Sequence, residues 1–179
     1  MCFSPFPSPF RHQKVSFMTT PNRPDTSAVT GSDTRSDSAI IDVVRAFYEP
    51  FRTGDTAVYG EILADDWIDI PLAPGQEQGP AGMAAQIAAF RRAMPDFHVK
   101  HEDLVVGGDR VAVRNTVSGT HQGAFMGYEP TGRRIEIRTM DIHQLHGHRI
   151  VVTWHLEDFA GLMAQLAAPT DAPVQAAWS

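Results

Sequence analysis

Apolar residues recur at helical spacing through the first part of the chain and at every second position from Phe97 onward. Ile40, Val43, Val44, Phe47 and Phe51 form one helical face behind Ser36 and Asp37, which suit a helix start, and Gly54 ends the run. Asp55 suits the cap of a short second helix carrying Val58, Ile62 and Leu63. DDWIDIPL then reads as extended and PGQEQG as a loop. Pro80 fits the first turn of a third helix with Met83, Ile87, Phe90 and Met94 on its face. After the change of period, FHVKHEDLVV predicts one strand or two, and GGD a hairpin turn. RVAVRNTVSGTH, RRIEIRTMDIHQL and HRIVVTWHLED predict three more strands, and FAGLMAQL a short helix after Asp158. Helices followed by a meander indicate an α+β domain, with the helices packed on one face of an antiparallel sheet.

The two ends differ from this pattern. Residues 1–37 hold Pro5, Pro7, Pro9, Pro21 and Pro24 among many Ser and Thr, and read as a disordered leader; Met18 offers an alternative start that the intact mass of the native protein decides. Residues 38–167 form the expected domain, and 168–179 a tail whose Trp178 could dock. The 179 residues carry 21 acidic and 15 basic side chains, a net charge of −6, and no run of Lys or Arg longer than two. That balance argues against nucleic acid or an anionic membrane as partner. No apolar run reaches the ~18 residues of a membrane span, and no secretory signal is legible, so a cytoplasmic location is expected. The lone Cys2 rules out an internal disulfide framework and any cysteine-clustered zinc site.

Pairing the last two predicted strands about a Gly147-His148 turn sets Leu145 opposite Ile150, His143 opposite Val152, Asp141 opposite Trp154 and Thr139 opposite Leu156. Cross-strand neighbours share a side of the sheet. Asp141 therefore falls on the apolar, core-facing side with Ile135, Ile137 and Trp154. A carboxylate there has to be hydrogen-bonded, paired or partly protonated, and desolvation raises its pKa toward the range a general acid or base needs. The alternatives are a structural Asp paired with an arginine such as Arg114 or Arg138, or a one-residue slip that turns Asp141 outward.

His121 lies in the glycine-rich segment SGTHQGAFMGYEPTGRR, at the same parity as Val111, Val113, Asn115 and Val117. A loop histidine at strand ends can transfer a proton or polarise a carbonyl, or simply satisfy loop backbone. Asn115, an amide amid valines, either bonds a ligand or serves its neighbours. His143, His146 and His148 cluster near a turn, and His98 and His101 lie three apart. Neither spacing supports a metal site, so none is expected, and these read as solvated turn residues.

The strings FYEPFRTGD, LADDWIDIPLAPGQEQGPAG, FRRAMPDFHV, GGDRVAVRNTVSGTHQGAFMGYEPTGRRIEI and IVVTWHLEDFAGLMAQL resemble the SnoaL-like polyketide cyclases, or ester cyclases, of the nuclear-transport-factor-2-like superfamily, over about residues 38–167. The resemblance implies a cone-shaped α+β barrel in which the N-terminal helices close an apolar pocket against a curved antiparallel sheet, a homodimer through the outer sheet face, and chemistry without a cofactor. It also implies an aspartate, here Asp141, acting as acid and base in an intramolecular aldol closure, helped by a histidine, here His121. One departure is Ile70, where relatives often carry a polar residue, commonly His; it makes the pocket more apolar. The expected substrate is a small, apolar, carbonyl-bearing molecule, with Phe47, Trp67, Asn115 and Trp154 against it; Phe47, Trp67, Phe90 and Trp154 are each either pocket wall or plain core, Phe90 rather the latter. Epoxide hydrolysis, isomerisation and a non-catalytic binding domain are the competing readings. The outer-face residues Met140, Ile142 and Val151 would suit the dimer contact.

Overall fold

The computed structural model describes residues 34–169. The leader expected over 1–37 lies outside the described residues except for 34–37, and so do the Met18 start, Trp178 and the tail beyond residue 169. Helix α1 (Thr34–Thr53) begins just ahead of the start expected at Ser36 and Asp37. It stops at Gly54, whose φ of 81° is the left-handed turn that glycine adopts without strain, with its N–H on Pro50 O at 2.7 Å. Arg91 donates to the carbonyls of Phe51 and Arg52, groups that the last helical turn leaves without partners. Then follow α2 (Tyr59–Ile62), β1 (Leu63–Ile70) and α3 (Pro80–Ala93), with proline in the first turn of α3.

The second half is β2 (His98–Gly107), β3 (Arg110–Thr120), β4 (Arg134–His146), β5 (Arg149–Glu157) and α4 (Phe159–Ala167). FHVKHEDLVV is thus one strand, with a register shift between His101 and Asp103. The sheet order is β1-β5-β4-β3-β2. β2 to β5 form the expected antiparallel meander, whereas β1 joins the edge parallel to β5, with α3 and the meander between them supplying the long connection a parallel pair requires. The sheet is curved and unclosed.

The turn between β4 and β5 pairs Leu145 with Ile150 as predicted, and then the register shifts. Val151 is the extra residue, so Gln144 faces Val152, His143 faces Thr153, and Asp141 faces His155. A bulge of one residue exchanges the two faces of every position beyond it. Thr153, His155 and Glu157 therefore point inward, while Val152, Trp154 and Leu156 point outward. Trp154 pairs with Ile142 on the outer face, where the guanidinium of Arg110 sits 5.3 Å from its ring centre.

The inward face and the helices enclose two apolar clusters, one around Phe47, Tyr59 and Trp67, the other around Met94, Phe97, Ile135 and Leu162; Phe51 and Val99 pack against both. Helix α4 is capped at its start by Asp158, which accepts from Gly161 N at 2.8 Å. At its end Arg133 donates to the carbonyls of Gln165, Leu166, Ala168 and Pro169. The PTGR segment thereby fixes the helix that brings Leu162 over the sheet. Among the described residues no helix is long and apolar enough to cross a membrane.

Candidate active site

Between the helices and the inward face lies a cavity of about 620 Å³. Most of its wall is apolar: Phe47 and Phe51 from α1, Phe90 from α3, Phe97, Phe125, Ile135 and Ile137. Phe97 stacks on both Phe51 and Phe90, at 5.8 and 5.4 Å between ring centres, and these two lie 6.3 Å from each other. Asp141, Thr139, Thr153, His155, Glu157 and Asp69 are among its polar lining groups. A mostly apolar cavity with a few converging polar groups is the usual form of a small-molecule site.

Asp141 is 7% exposed, and three hydrogen bonds converge on its Oδ2. Tyr48 Oη donates at 2.7 Å, Asn115 Nδ2 at 2.7 Å and Thr139 Oγ1 at 3.3 Å. Asn115 is itself oriented by His101 Nδ1, which donates to its Oδ1 at 2.7 Å. Burial pushes the Asp141 carboxyl up to about 6, against the Tyr48 hydrogen bond and the charge of His155, which both pull it down.

His155 is the cross-strand neighbour of Asp141 and shares its face. Its Nδ1 lies 2.5 Å from Glu157 Oε1, and its Nε2 lies 3.2 Å from Asp69 Oδ1. The second contact is an ion pair in distance but not an aligned hydrogen bond, since neither Nε2 nor Asp69 Oδ1 has a partner of good geometry. Burial alone would push His155 down; the Asp69 and Glu157 carboxylates overcome it and hold the imidazolium up to about 10. Asp69 is further held by Gln76 Nε2, which donates to its Oδ2 at 2.8 Å.

Of the residues expected at the site, Asp141 and Asn115 are brought together, and Phe47 and Phe90 line the cavity. His121 is not brought to them. Asp141 pairs with Val113, and His121 lies eight residues further along, about 26 Å of extended chain. There it is fully buried, with Nδ1 3.1 Å from Thr131 Oγ1 and its backbone joined to Arg133 and Gly132. Trp67 is core rather than wall: it is 1% exposed, absent from the cavity lining, and its Nε1 donates to Thr153 Oγ1 at 3.0 Å. Trp154 is removed from the site by the bulge. His143, read as a solvated turn residue, is completely buried behind Tyr48, and His101 is tied to Asn115. Arg114 pairs with Asp103, and Arg138 lies on the outer face, so neither neutralises Asp141.

Tyr48, His155, Glu157 and Asp69 were missed. For β5 the reason is the bulge, which leaves no mark in the residue pattern. Asp69 was within reach, since Trp67 and Asp69 alternate inward along β1. Tyr48 adjoins Phe47 on the buried side of α1, and its hydroxyl needed a buried partner.

The raised pKa has a sign that can be tested. Because the folded value lies above the unfolded one, the unfolded chain releases the Asp141 proton first as pH rises. The stability this gives at low pH is lost between about 4 and about 6, with no further loss above. His155 acts in another window, its contribution intact below about 6.5 and lost as pH rises through about 10. Urea denaturation of wild type and Asp141→Asn should therefore show wild type losing about 2–3 kcal/mol relative to the variant from about pH 4 to about pH 7. A difference that stays flat, or grows in favour of wild type, would show an ordinary ionised carboxylate.

Comparison with known proteins agrees with this architecture. Residues 41–166 match the SnoaL-like polyketide cyclase family. No curated protein matches the chain in sequence. Among solved structures, TsrD from Streptomyces laurentii is 27% identical, with a TM-score of 0.67 over 74% of this chain and 97% of that one. IdmH from Streptomyces antibioticus, a proposed polyketide cyclase, is 29% identical, with a TM-score of 0.64 over 72% and 99%. A proposed polyketide cyclase from Bacillus cereus is 27% identical, with a TM-score of 0.67 over 75% and 85%. On the match across most of its length, the chain belongs to the SnoaL-like polyketide cyclase family.

Proposed function

We propose that this protein is an acid–base enzyme that needs no cofactor and closes a ring by intramolecular aldol addition within an apolar, carbonyl-bearing substrate of polyketide type, in secondary metabolism. The observation that carries this reading is the pairing of Asp141 with His155 among the polar groups of an otherwise apolar cavity. A carboxylate with a pKa near 6 is still largely ionised at neutral pH and basic enough to take an activated proton. Asp141 Oδ1, which carries none of the three hydrogen bonds, removes a proton from the carbon next to a carbonyl. His155 Nε2–H, misaligned on Asp69, turns to the enolate oxygen that forms. The enolate carbon attacks a second carbonyl of the same molecule, and the new alkoxide takes the proton back from Asp141. Substrate and product are isomers, and His155 remains an imidazolium throughout. His121 has no part in these steps. A non-catalytic binding domain predicts a fully ionised Asp141 of ordinary pKa; burial instead pushes the carboxyl up to about 6, even beside the His155 cation.

The test uses proton abstraction itself. A panel of apolar 1,3-diketones in D₂O, followed by loss of the α-proton NMR signals, should show exchange accelerated by the protein. Asp141→Asn should lower that rate by about 10²-fold or more, and His155→Gln by a comparable factor. His121→Gln should leave it unchanged. Exchange that survives Asp141→Asn would remove the base assignment.

The same reading places the protein in the cytoplasm as a homodimer through the outer sheet face. Val105, Ala112, Ile142 and Trp154 form one row across β2 to β5, and Met140 and Leu156 the next apolar pair; Met140 and Leu156 are 64% and 73% exposed. Val151, expected in this contact, sits instead at the bulge and is half-buried. Sedimentation should give a dimer for wild type and a monomer for Met140→Glu; a monomeric wild type would refute the contact.

A further inference from the structure

Behind Asp141 runs a chain of buried side chains that the steps above do not use. Tyr48 Oη lies 2.7 Å from Asp141 Oδ2 and 2.8 Å from His143 Nε2. His143 Nδ1 lies 3.0 Å from Thr153 Oγ1, and Trp67 Nε1 lies 3.0 Å from the same oxygen. Phe47 covers His143 with ring centres 4.9 Å apart. Neither His143 nor Trp67 lines the cavity.

The donor inventory sets a direction. An indole N–H can only donate, so Thr153 Oγ1 accepts from Trp67 and is left able to donate its own proton to His143 Nδ1. His143 is neutral, burial pushing it down to about 3 with the charges of His155 and His101 adding to this, so its single proton is then on Nε2 and is donated to Tyr48 Oη. Tyr48 has one proton, and it goes to Asp141. In the reverse assignment His143 carries its proton on Nδ1 and takes a hydrogen bond from Tyr48, and Asp141 must then be protonated on Oδ2 to make the 2.7 Å contact. Asn115 Nδ2–H already points at Oδ2 from 2.7 Å, which disfavours a proton there.

We propose that Trp67, Thr153, His143 and Tyr48 are positioning residues forming a one-way hydrogen-bond chain that keeps Asp141 Oδ2 a permanent acceptor. Asp141 then exchanges protons with the cavity through Oδ1 alone. Resting on the proposed reading, this gives the chain a consequence: a proton taken from the substrate does not pass inward, because each link already donates toward Asp141 and the last, Trp67, has no lone pair to receive one. It stays on the cavity side and returns to the same molecule. The ionisable groups facing this chain are Tyr48 and Tyr59 from the helices, Asp69 from β1, His101 from β2, Asp141 from β4, and His155 and Glu157 from β5.

The His143 tautomer reports the direction without any substrate, so its outcome is separate from that of the exchange assay. Long-range ¹H–¹⁵N correlation spectra of wild type should show the proton on Nε2 at both about pH 5 and about pH 7.5, on either side of the Asp141 titration. A proton on Nδ1 at either pH, or a tautomer that switches as Asp141 titrates, would overturn the proposal, since the carboxyl would then set the direction. Thr153→Val keeps the shape and removes the donor to Nδ1; a mixture of tautomers is expected there. Retention of pure Nε2–H in Thr153→Val would show that Trp67 and Thr153 do not fix the chain.

Discussion

A carboxylate at the edge of an apolar cavity can exist only if its desolvation is offset from behind. In this fold the offset is the convergence of Tyr48, Asn115 and Thr139 on one oxygen of Asp141. Each donor comes from a different element, α1, β3 and β4, so the site and the packing of helix on sheet depend on each other. The compensation is partial: the hydrogen bonds lower the carboxyl while burial raises it, and the result stays above the ordinary range. Full compensation by an arginine would have produced a stable, inert ion pair. Arg91 and Arg133 instead hold the ends of α1 and α4 by their carbonyls.

The β4–β5 bulge decides what stands beside that carboxylate. Without Val151 as an extra residue, Trp154 would face Asp141, and His155 and Glu157 would lie in the outer row. With it, an imidazolium flanked by two carboxylates becomes the neighbour, and an apolar pair, Ile142 and Trp154, is moved to the outer surface. One register shift thus supplies both a cationic donor for the cavity and much of the apolar outer row. Across the sheet, Asn115 and its partner His101 support the carboxylate from the other side.

Most of the fold was legible because period and punctuation are local. The switch from helical to alternating spacing at Phe97, Gly54 as a stop, Pro80 as a start and the turn at Gly147 all matched observed elements. The parallel docking of β1 on β5 was not legible, since DDWIDIPL reads as extended whichever strand it joins. For the site, parity on β4 alone placed Asp141 correctly, as no irregularity intervenes between it and the turn on its own strand. Parity on β5 failed for Trp154 because the irregularity is there. The family resemblance pointed to His121, whose side chain is buried but far along the sheet; nothing in a strand's alternation reports distance from another residue on the same face. For Trp67 the sequence left wall and core open, since an apolar position does not separate a cavity from a core; the structure makes it core.

The central claim is that Asp141 is a poised base beside a permanent cation. Its most direct test is a ¹³C-detected pH titration of the Asp141 carboxyl in the wild-type protein, read together with the protonation of the His155 ring. The account predicts a carboxyl midpoint of about 6, with His155 remaining doubly protonated throughout that range. A midpoint at or below about 4, the ordinary value for an aspartate, or a His155 ring that loses its proton in step with Asp141, would contradict it.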